Sequence, residues 1–271
     1  MTSKQVLEIA MKQSAVDSNC YWRDFTEKQN KVVISEENKN ARKYLKLPFI
    51  CDLTSYGTNI VASVSKGLEK TVSSYINKYK TEHCFETPNL HELMDSLRPM
   101  GYNICFMAEY SLPDTDILAG GKLADRLWKR VSGANPSYGI QIMGQADFKE
   151  LYIPQWGNAL CADRKELDVI AAGAYDKDRL IALAGASADC GTMWQIGVDV
   201  LPEYRGQGIA SALTSRLAAE ILNKGIVPFY CCAWSNIGSI RNAVASGFRP
   251  AWVQITAKTT EEISGMNQVI I

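Results

Sequence analysis

A glycine-rich turn between an apolar run and a helical pattern is the part of this sequence that most clearly predicts chemistry. The apolar run over 193–201 is followed by Arg205-Gly206-Gln207-Gly208-Ile209-Ala210, where the helical pattern begins. The start of a helix leaves backbone N–H groups without partners and carries a partial positive charge. Glycines let the backbone come close to a ligand, because no Cβ intervenes. The sequence therefore predicts a phosphate-binding site at this turn.

Two common phosphate-binding motifs do not fit the turn. A P-loop ends in Gly-Lys followed by Ser or Thr, and this ending is missing. A dinucleotide-binding turn needs a third Gly or Ala and an acidic residue at the end of the next strand. Here Ser211 takes the third position, and the next predicted strand, over 229–234, has no acidic residue. A third pattern, Arg/Gln-x-x-Gly-x-Gly/Ala, is matched by Arg205, Gly208 and Ala210.

On these residues the sequence resembles the GNAT family of N-acetyltransferases, in which this turn holds the pyrophosphate of acetyl-coenzyme A. Further along, Asn236, Ser239 and Gly247-Phe248 are similar to the family's Asn-x-x-Ala and Gly-Phe signature. The resemblance covers about residues 138–258. It implies an α/β (α+β) fold with a GNAT-like mixed, mostly antiparallel sheet flanked by helices, and an N-acetyltransferase that uses acetyl-CoA.

The resemblance also implies a set of cofactor contacts. Backbone N–H groups of the turn would hold the pyrophosphate, and the pantetheine would lie where the strand over 194–201 separates from the strand over 229–234. A backbone N–H on the first of these strands, where the family's strand often bulges, would donate to the thioester oxygen. For Asn236, a simple helix cap is the alternative role. The residues expected at the cofactor are Val198, Val200, Arg205, Gly206, Gln207, Gly208, Ile209, Ala210, Ser211, Asn236 and Ser239.

The implied reaction is direct attack of an amine on the thioester, which needs a neutral amine and a proton for the leaving thiolate. Asp199 is the acidic residue nearest to the expected thioester and is a candidate base, with a structural carboxylate at a strand end as the alternative. Ala243 occupies the helix position at which many family members have a proton-donating tyrosine. The candidate proton donors are Cys232, Ser235, Tyr230 or a water, with Cys232 taken as the catalytic candidate.

Composition limits the class of protein. Lys+Arg and Asp+Glu each number 29, so no overall positive charge attracts nucleic acid or an anionic membrane. No apolar run approaches the roughly 20 residues of a membrane span, and no signal peptide is predicted. The eight cysteines contain no Cys-x-x-Cys pair, so we expect neither a metal site nor a disulfide framework. A histidine-centred site in the second half is excluded, since His83 and His91 lie in the first.

These observations favour a cytoplasmic acetyltransferase with a small-molecule or peptide amine as its acceptor, and without nucleic-acid, membrane or metal partners. A non-catalytic acyl-CoA-binding sensor or an interaction protein is the alternative, because the usual proton donor is missing at Ala243. Neither the acceptor nor the oligomeric state follows from the sequence.

Turn-forming residues over 113–137 predict a connector that contains a helix over 122–131. We therefore expect an N-terminal α/β domain over 1–112, this connector, and the acetyltransferase domain over 138–271. Within the last, helices are predicted over 147–153, with Asp147 as N-cap, and over 158–167.

The first half repeats the order of the second half weakly. Gly67 precedes a helix, Cys84-Phe85 is predicted as a strand, Asn89 begins a helix, and Gly101-Tyr102 precedes a strand. We interpret the N-terminal domain as a candidate degenerate second GNAT-like copy, with an unrelated α/β domain as the alternative. It lacks the Arg-x-x-Gly pattern, so we expect it to shape the substrate side of the site and not to bind a pyrophosphate.

Overall fold

The computed structural model describes residues 1–268. In chain order the helices are α1 (Ser3–Ser18), α2 (Glu69–Ile76), α3 (Thr87–Leu97), α4 (Thr115–Leu118), α5 (Lys122–Ala134), α6 (Ile209–Asn223), α7 (Ile237–Ala245) and α8 (Thr260–Gln268). The strands are β1 (Lys31–Ile34), β2 (Cys51–Ser55), β3 (Val61–Val64), β4 (Tyr102–Pro113), β5 (Tyr138–Gly144), β6 (Asp168–Asp176), β7 (Arg179–Ser187), β8 (Met193–Val200), β9 (Val227–Ala233) and β10 (Phe248–Thr259). Within these residues, no helix is both long and apolar enough to cross a lipid bilayer.

The chain forms two compact units whose boundaries differ from the expected ones. The first unit contains residues 1–9 and 111–250, and the second contains residues 10–110 and the described residues from Ala251 onward. Residues 113–137 are not a loose connector, because Leu118, Leu123 and Val131 are buried in the core of the first unit. Residues from Ala251 leave the first unit because Val253–Ala257 pair with β2 in the second.

In the second unit, β3 pairs with β1 in parallel and with β2 in the antiparallel sense, and β2 pairs with β10. The strand expected at Cys84-Phe85 is wrong, since Glu82–Phe85 is a 3-10 turn. The hydroxyl of Tyr75 donates to the carbonyl of Cys84 at 2.8 Å, which fixes this turn against α2 instead of a sheet. The first half therefore lacks one of the elements by which it was expected to repeat the order of the second half.

The sheet of the first unit confirms the expected mixed, mostly antiparallel fold. Strands β5, β6, β7 and β8 form an antiparallel meander, and β9 lies parallel to β8. Helix α6 packs on one face of this sheet through a row of apolar side chains four residues apart, a spacing that places them on one side of a helix. These side chains are Ile209, Leu213, Leu217 and Ile221.

The opposite face of the sheet carries a crossing segment, which we define as Trp156–Leu160. An ideal Cβ on Gly197 would lie 1.8 Å from the carbonyl oxygen of Asn158, and one on Gly185 would lie 2.0 Å from that of Ala159. Gly185 and Gly197 are directly paired between β7 and β8. The two glycines therefore leave the space in which the main chain of the crossing segment lies on the sheet.

The helices expected over 147–153 and 158–167 are wrong. The first region holds a 3-10 turn at Gln145–Phe148, in which Asp147 is the third residue and accepts from the N–H of Gly144 instead of capping a helix. In the second, the N–H groups of Asn158 and Ala159 donate to the carboxylate of Asp199, and a 3-10 helix follows at Ala162–Leu167. Short 3-10 helices thus stand where the local pattern predicts α-helices.

We expect Gly197→Ala to lower the free energy of unfolding by about 3 kcal/mol, because the new methyl group must displace the crossing segment. Urea denaturation followed by circular dichroism measures this change. The control is Gly139→Ala on β5, where an added Cβ meets nothing within 4 Å. Equal stability of the two variants would show that the crossing segment does not lie against Gly197.

Candidate functional site

The candidate site is a gap between β8 and β9. The two strands pair from Met193 to Gln195 on β8, opposite Val227 to Phe229 on β9, and no pairing follows beyond Gln195 in the described chain. A cavity of about 690 Å³ lies between the separated strands and reaches the glycine turn. This is the separation that the sequence predicts for the cofactor arm.

The edge of β8 that faces the gap presents backbone donors. Strands β7 and β8 pair without a shift in register, from Ala182 opposite Val200 to Ser187 opposite Gln195. The expected bulge in β8 is therefore not present in its pairing with β7. The N–H of Leu201 donates to the carbonyl of Ile181 at 3.0 Å. Because donors alternate along an antiparallel strand, the N–H groups of Val198 and Val200 point away from β7 and toward the gap.

The glycine turn presents a second row of donors. Gly206 and Gly208 have left-handed backbone angles, φ 78° and 82°, and Gly208 is the N-cap of α6. Residues with a Cβ rarely adopt these backbone angles, which explains why glycine occupies both positions. Within residues 1–268, no protein acceptor reaches the amide hydrogens from Gly206 to Ser211. The turn can therefore donate several hydrogen bonds to one anion at the positive end of a helix.

Side chains of the turn fasten it to the protein. The Oε1 atom of Gln207 accepts from Asn135 Nδ2 at 3.3 Å and from the hydroxyl of Tyr138 at 3.1 Å. The Nε atom of Arg205 donates to the carbonyl of Val200 at 3.0 Å. Sequence analysis expected Gln207 and Arg205 at the cofactor. In the structure, their side chains hold the turn in its shape.

Helix α7 closes the other side of the cavity. The Oδ1 atom of Asn236 accepts from the N–H of Ser239 at 3.1 Å, so Asn236 is the N-cap of α7, as its alternative role predicted. The hydroxyl of Ser239 lies 2.8 Å from that of Tyr230 on β9. Both hydroxyl-bearing residues line the cavity. Burial raises the pKa of Tyr230 above its ordinary value, so the phenol stays protonated at neutral pH.

A buried amide connects the two helices that border the site. The Oδ1 atom of Asn242 accepts from the hydroxyl of Ser211 at 3.0 Å, and its Nδ2 atom donates to Thr214 Oγ1 at 3.1 Å and to Tyr230 Oη at 3.5 Å. Sequence analysis missed Asn242, although a polar residue on the inner face of an amphipathic helix is a usable signal. Ala243, next to it, is buried in the core that also contains Tyr230.

The structure supports the alternative role of Asp199. Its carboxylate accepts three hydrogen bonds from the crossing segment: the N–H of Asn158 at 2.9 Å, Asn158 Nδ2 at 2.6 Å and the N–H of Ala159 at 2.9 Å. All three donors belong to the crossing segment, so the carboxylate holds this segment against β8. Cys232, the other catalytic candidate, lines the cavity and packs against the core beneath α6.

The predicted cofactor residues fall into two groups. Those that line the cavity are Val198, Val200, Arg205, Gly206, Ala210, Asn236 and Ser239. The others do not line it and lie in the turn or the first turn of α6: Gln207, Gly208, Ile209 and Ser211.

Sequence analysis missed further residues that line the cavity, among them Asn158, Gln195 and Cys231. Gln195 belongs to the last pair of β8 and β9, and its Nε2 atom donates at 3.1 Å to Sγ of Cys231, which lies beyond that pair on β9. A glycine inside a strand often marks a place where another backbone comes close. Gly197 could therefore have predicted that a segment such as the one containing Asn158 packs on β8.

A family model described as GNAT acetyltransferase matches residues 24–251. The chain belongs to this family. The match also covers most of the N-terminal half, to which the sequence resemblance did not extend. No curated protein matches the chain.

Several solved structures are similar to this chain at low identity. A GCN5-related N-acetyltransferase-like protein from Streptococcus suis is 18% identical, with a TM-score of 0.46 over 62% of this chain and 67% of that one. A GCN5-related N-acetyltransferase from Kribbella flavida is 15% identical, with a TM-score of 0.45 over 62% and 63%. A Salmonella typhimurium protein, solved with its cofactor acetyl-CoA, is 16% identical, with a TM-score of 0.33 over 45% and 94%. This chain spans 66%, 67% and 57% of the first three solved chains.

We expect Asp199→Ala to release the crossing segment, since three hydrogen bonds to a charged acceptor are lost together. Hydrogen–deuterium exchange at the amides of Asn158 and Ala159 should become about 10- to 100-fold faster. Asp178→Ala, in the exposed turn between β6 and β7, is the control and should leave both amides unchanged. Unchanged protection in Asp199→Ala would contradict the clamping role of this carboxylate.

Proposed function

We propose that this GNAT-family protein is an N-acetyltransferase that moves an acetyl group from acetyl-CoA to a primary amine by direct attack in a ternary complex. One observation carries the proposal: the glycine turn, whose amides from Gly206 to Ser211 have no protein acceptor among the described residues, reaches the cavity between β8 and β9 through Gly206 and Ala210. A diphosphate with an extended arm fits a helix N-terminus that opens onto a cleft.

Each part of the cofactor has matching groups in the chain. The amides of the glycine turn would hold the pyrophosphate, and the gap beyond Gln195 would take the pantetheine arm. The N–H groups of Val198 and Val200 would donate to the acyl oxygen as negative charge develops there. When bound, acetyl-CoA supplies an activated acyl thioester. By holding both reactants in one cavity, the protein removes the need for a covalent enzyme intermediate.

Tyr230 and Ser239 are the groups best placed to hand a proton to the leaving thiolate. They share a short hydrogen bond at the wall of the cavity, and Asn242 holds the phenol in place. Burial raises the pKa of Tyr230, so the phenol carries a proton at neutral pH that can reach the thiolate through the hydroxyl of Ser239. We therefore assign proton donation to this pair. The sequence has Ala243 at the usual position of the proton donor, and sequence analysis took Cys232 as the candidate.

A second candidate function is an acyl-CoA-binding sensor without turnover. The observation that favours it is the three-donor environment of Asp199, which leaves the cavity without an evident base. Isothermal titration calorimetry with CoA, together with thiol release from acetyl-CoA in the presence of an amine panel, separates the two functions. Binding with no turnover of any amine would support the sensor.

We expect Gly208→Glu to weaken CoA binding by about 100-fold or more, because a carboxylate beside the turn repels the diphosphate and the left-handed backbone is strained. Calorimetric titration with CoA measures this loss. Gly225→Glu is the matched control, since Gly225 follows the other end of α6 with a similar φ of 77°. Equal affinities of the two variants would remove the turn from the binding site.

We expect Tyr230→Phe to lower kcat by about 100-fold with little change in the KM for acetyl-CoA, because the leaving thiolate loses its proton donor. Ser239→Ala should cause a similar loss, and the double variant should be no worse than either single one. Tyr175→Phe on β6 is the control, as its hydroxyl contacts Met143. A kcat within twofold of the wild-type value would rule out this proton route.

A further inference from the structure

The crossing segment Trp156–Leu160 and helix α6 lie on opposite faces of the same sheet. Val198 and Val200 pack against the core beneath α6, whereas Gly197 and Asp199, which alternate with them along β8, face the crossing segment. Asn158 is exposed and lines the cavity from that second face. The lining of the cavity therefore includes both the glycine turn and Asn158 of the crossing segment.

The side chain of Asn158 has a fixed orientation. A carboxylate only accepts hydrogen bonds, so the Asn158 atom that lies 2.6 Å from Asp199 Oδ1 is its Nδ2 amide nitrogen. The backbone N–H groups of Asn158 and Ala159 donate to the other carboxylate oxygen, which fixes the main chain as well. Within residues 1–268, no protein donor reaches Asn158 Oδ1.

This arrangement strengthens a single acceptor at the cavity wall. A hydrogen bond from Nδ2 to a carboxylate increases the negative charge on the oxygen of the same amide. Because the clamp already holds the side chain in one orientation, little rotamer freedom is lost when a donor binds. An oriented amide oxygen of this kind suits the N–H groups of an amine.

We propose that Asn158 binds the acceptor amine, with Oδ1 accepting an N–H of a primary amine that enters from the face of the crossing segment. Asp199 is then a positioning residue that acts through Asn158 and takes no proton. This inference rests on the proposed function, since it assigns the acceptor side of the same site. It also gives Gly185 and Gly197 a functional purpose, because their missing side chains let Asn158 reach the gap.

The test compares Asn158→Ala with the matched control Gln155→Ala, which removes an exposed amide three residues earlier. Asn158→Ala keeps both backbone hydrogen bonds to Asp199, so the crossing segment should remain folded. We expect the KM for a primary amine found in a panel of tyramine, putrescine and glucosamine to rise about 10- to 100-fold. The KM for acetyl-CoA should stay unchanged, and Gln155→Ala should match the wild type.

The outcomes separate this inference from the proposed function. Normal turnover with an unchanged amine KM in Asn158→Ala overturns the inference alone. Wild-type protein that acetylates no panel amine counts against the proposed function. In that case, the side-chain amide resonances of Asn158 are followed by NMR in CoA-saturated wild-type protein as each amine is added. A shift supports the amine site, and unchanged resonances overturn it.

Discussion

The early end of the pairing between β8 and β9 is the constraint on which the rest of the site depends. A strand whose edge is left unpaired must find other partners for its backbone donors, because unsatisfied buried groups are costly. Beyond Gln195 the donors of β8 face a cavity instead of β9. The regular meander from β5 to β8 makes this possible, since β7 alone holds β8 in register up to Val200. The candidate site thus lies where the pairing of β8 and β9 ends.

Two pairs of glycines serve this site for different physical reasons. Gly206 and Gly208 need left-handed backbone angles, and they form the turn that exposes the amides at the start of α6. Gly185 and Gly197 have no unusual φ, but any side chain there would collide with the crossing segment. The first pair prepares one face of the sheet for an anion, and the second prepares the other face for close contact with Asn158. Both faces are thus shaped by residues without side chains.

The sequence predicted the elements that depend on local patterns. The glycine turn, helix α6 with its spaced apolar row, the meander and the separation of β8 from β9 all follow from periodicity or from the family resemblance. The α-helices expected at 147–153 and 158–167 are replaced by 3-10 helices at Gln145–Phe148 and Ala162–Leu167. Before the second of these, the amides of Asn158 and Ala159 donate to Asp199, a partner far along the chain. The expected strand at Cys84-Phe85 failed similarly, through the bond from Tyr75.

Only the part of the site that depends on a short motif could be predicted from the sequence. Backbone donors of a turn are implied by a short motif, so the cofactor side was within reach of the sequence. The roles of Asp199, Tyr230 and Asn242 depend on contacts between residues 28 to 41 positions apart or between neighbouring elements, which no local spacing reveals. Residue type suggested Asp199 as a base, whereas its partners make it a clamp.

A crystal structure of the protein with CoA bound tests the central claim most directly. We expect pyrophosphate oxygens within about 3 Å of amide nitrogens between Gly206 and Ser211, and the sulfur of CoA in the gap beside Val198. A pyrophosphate bound elsewhere, or a sulfur outside the gap between β8 and β9, would contradict it.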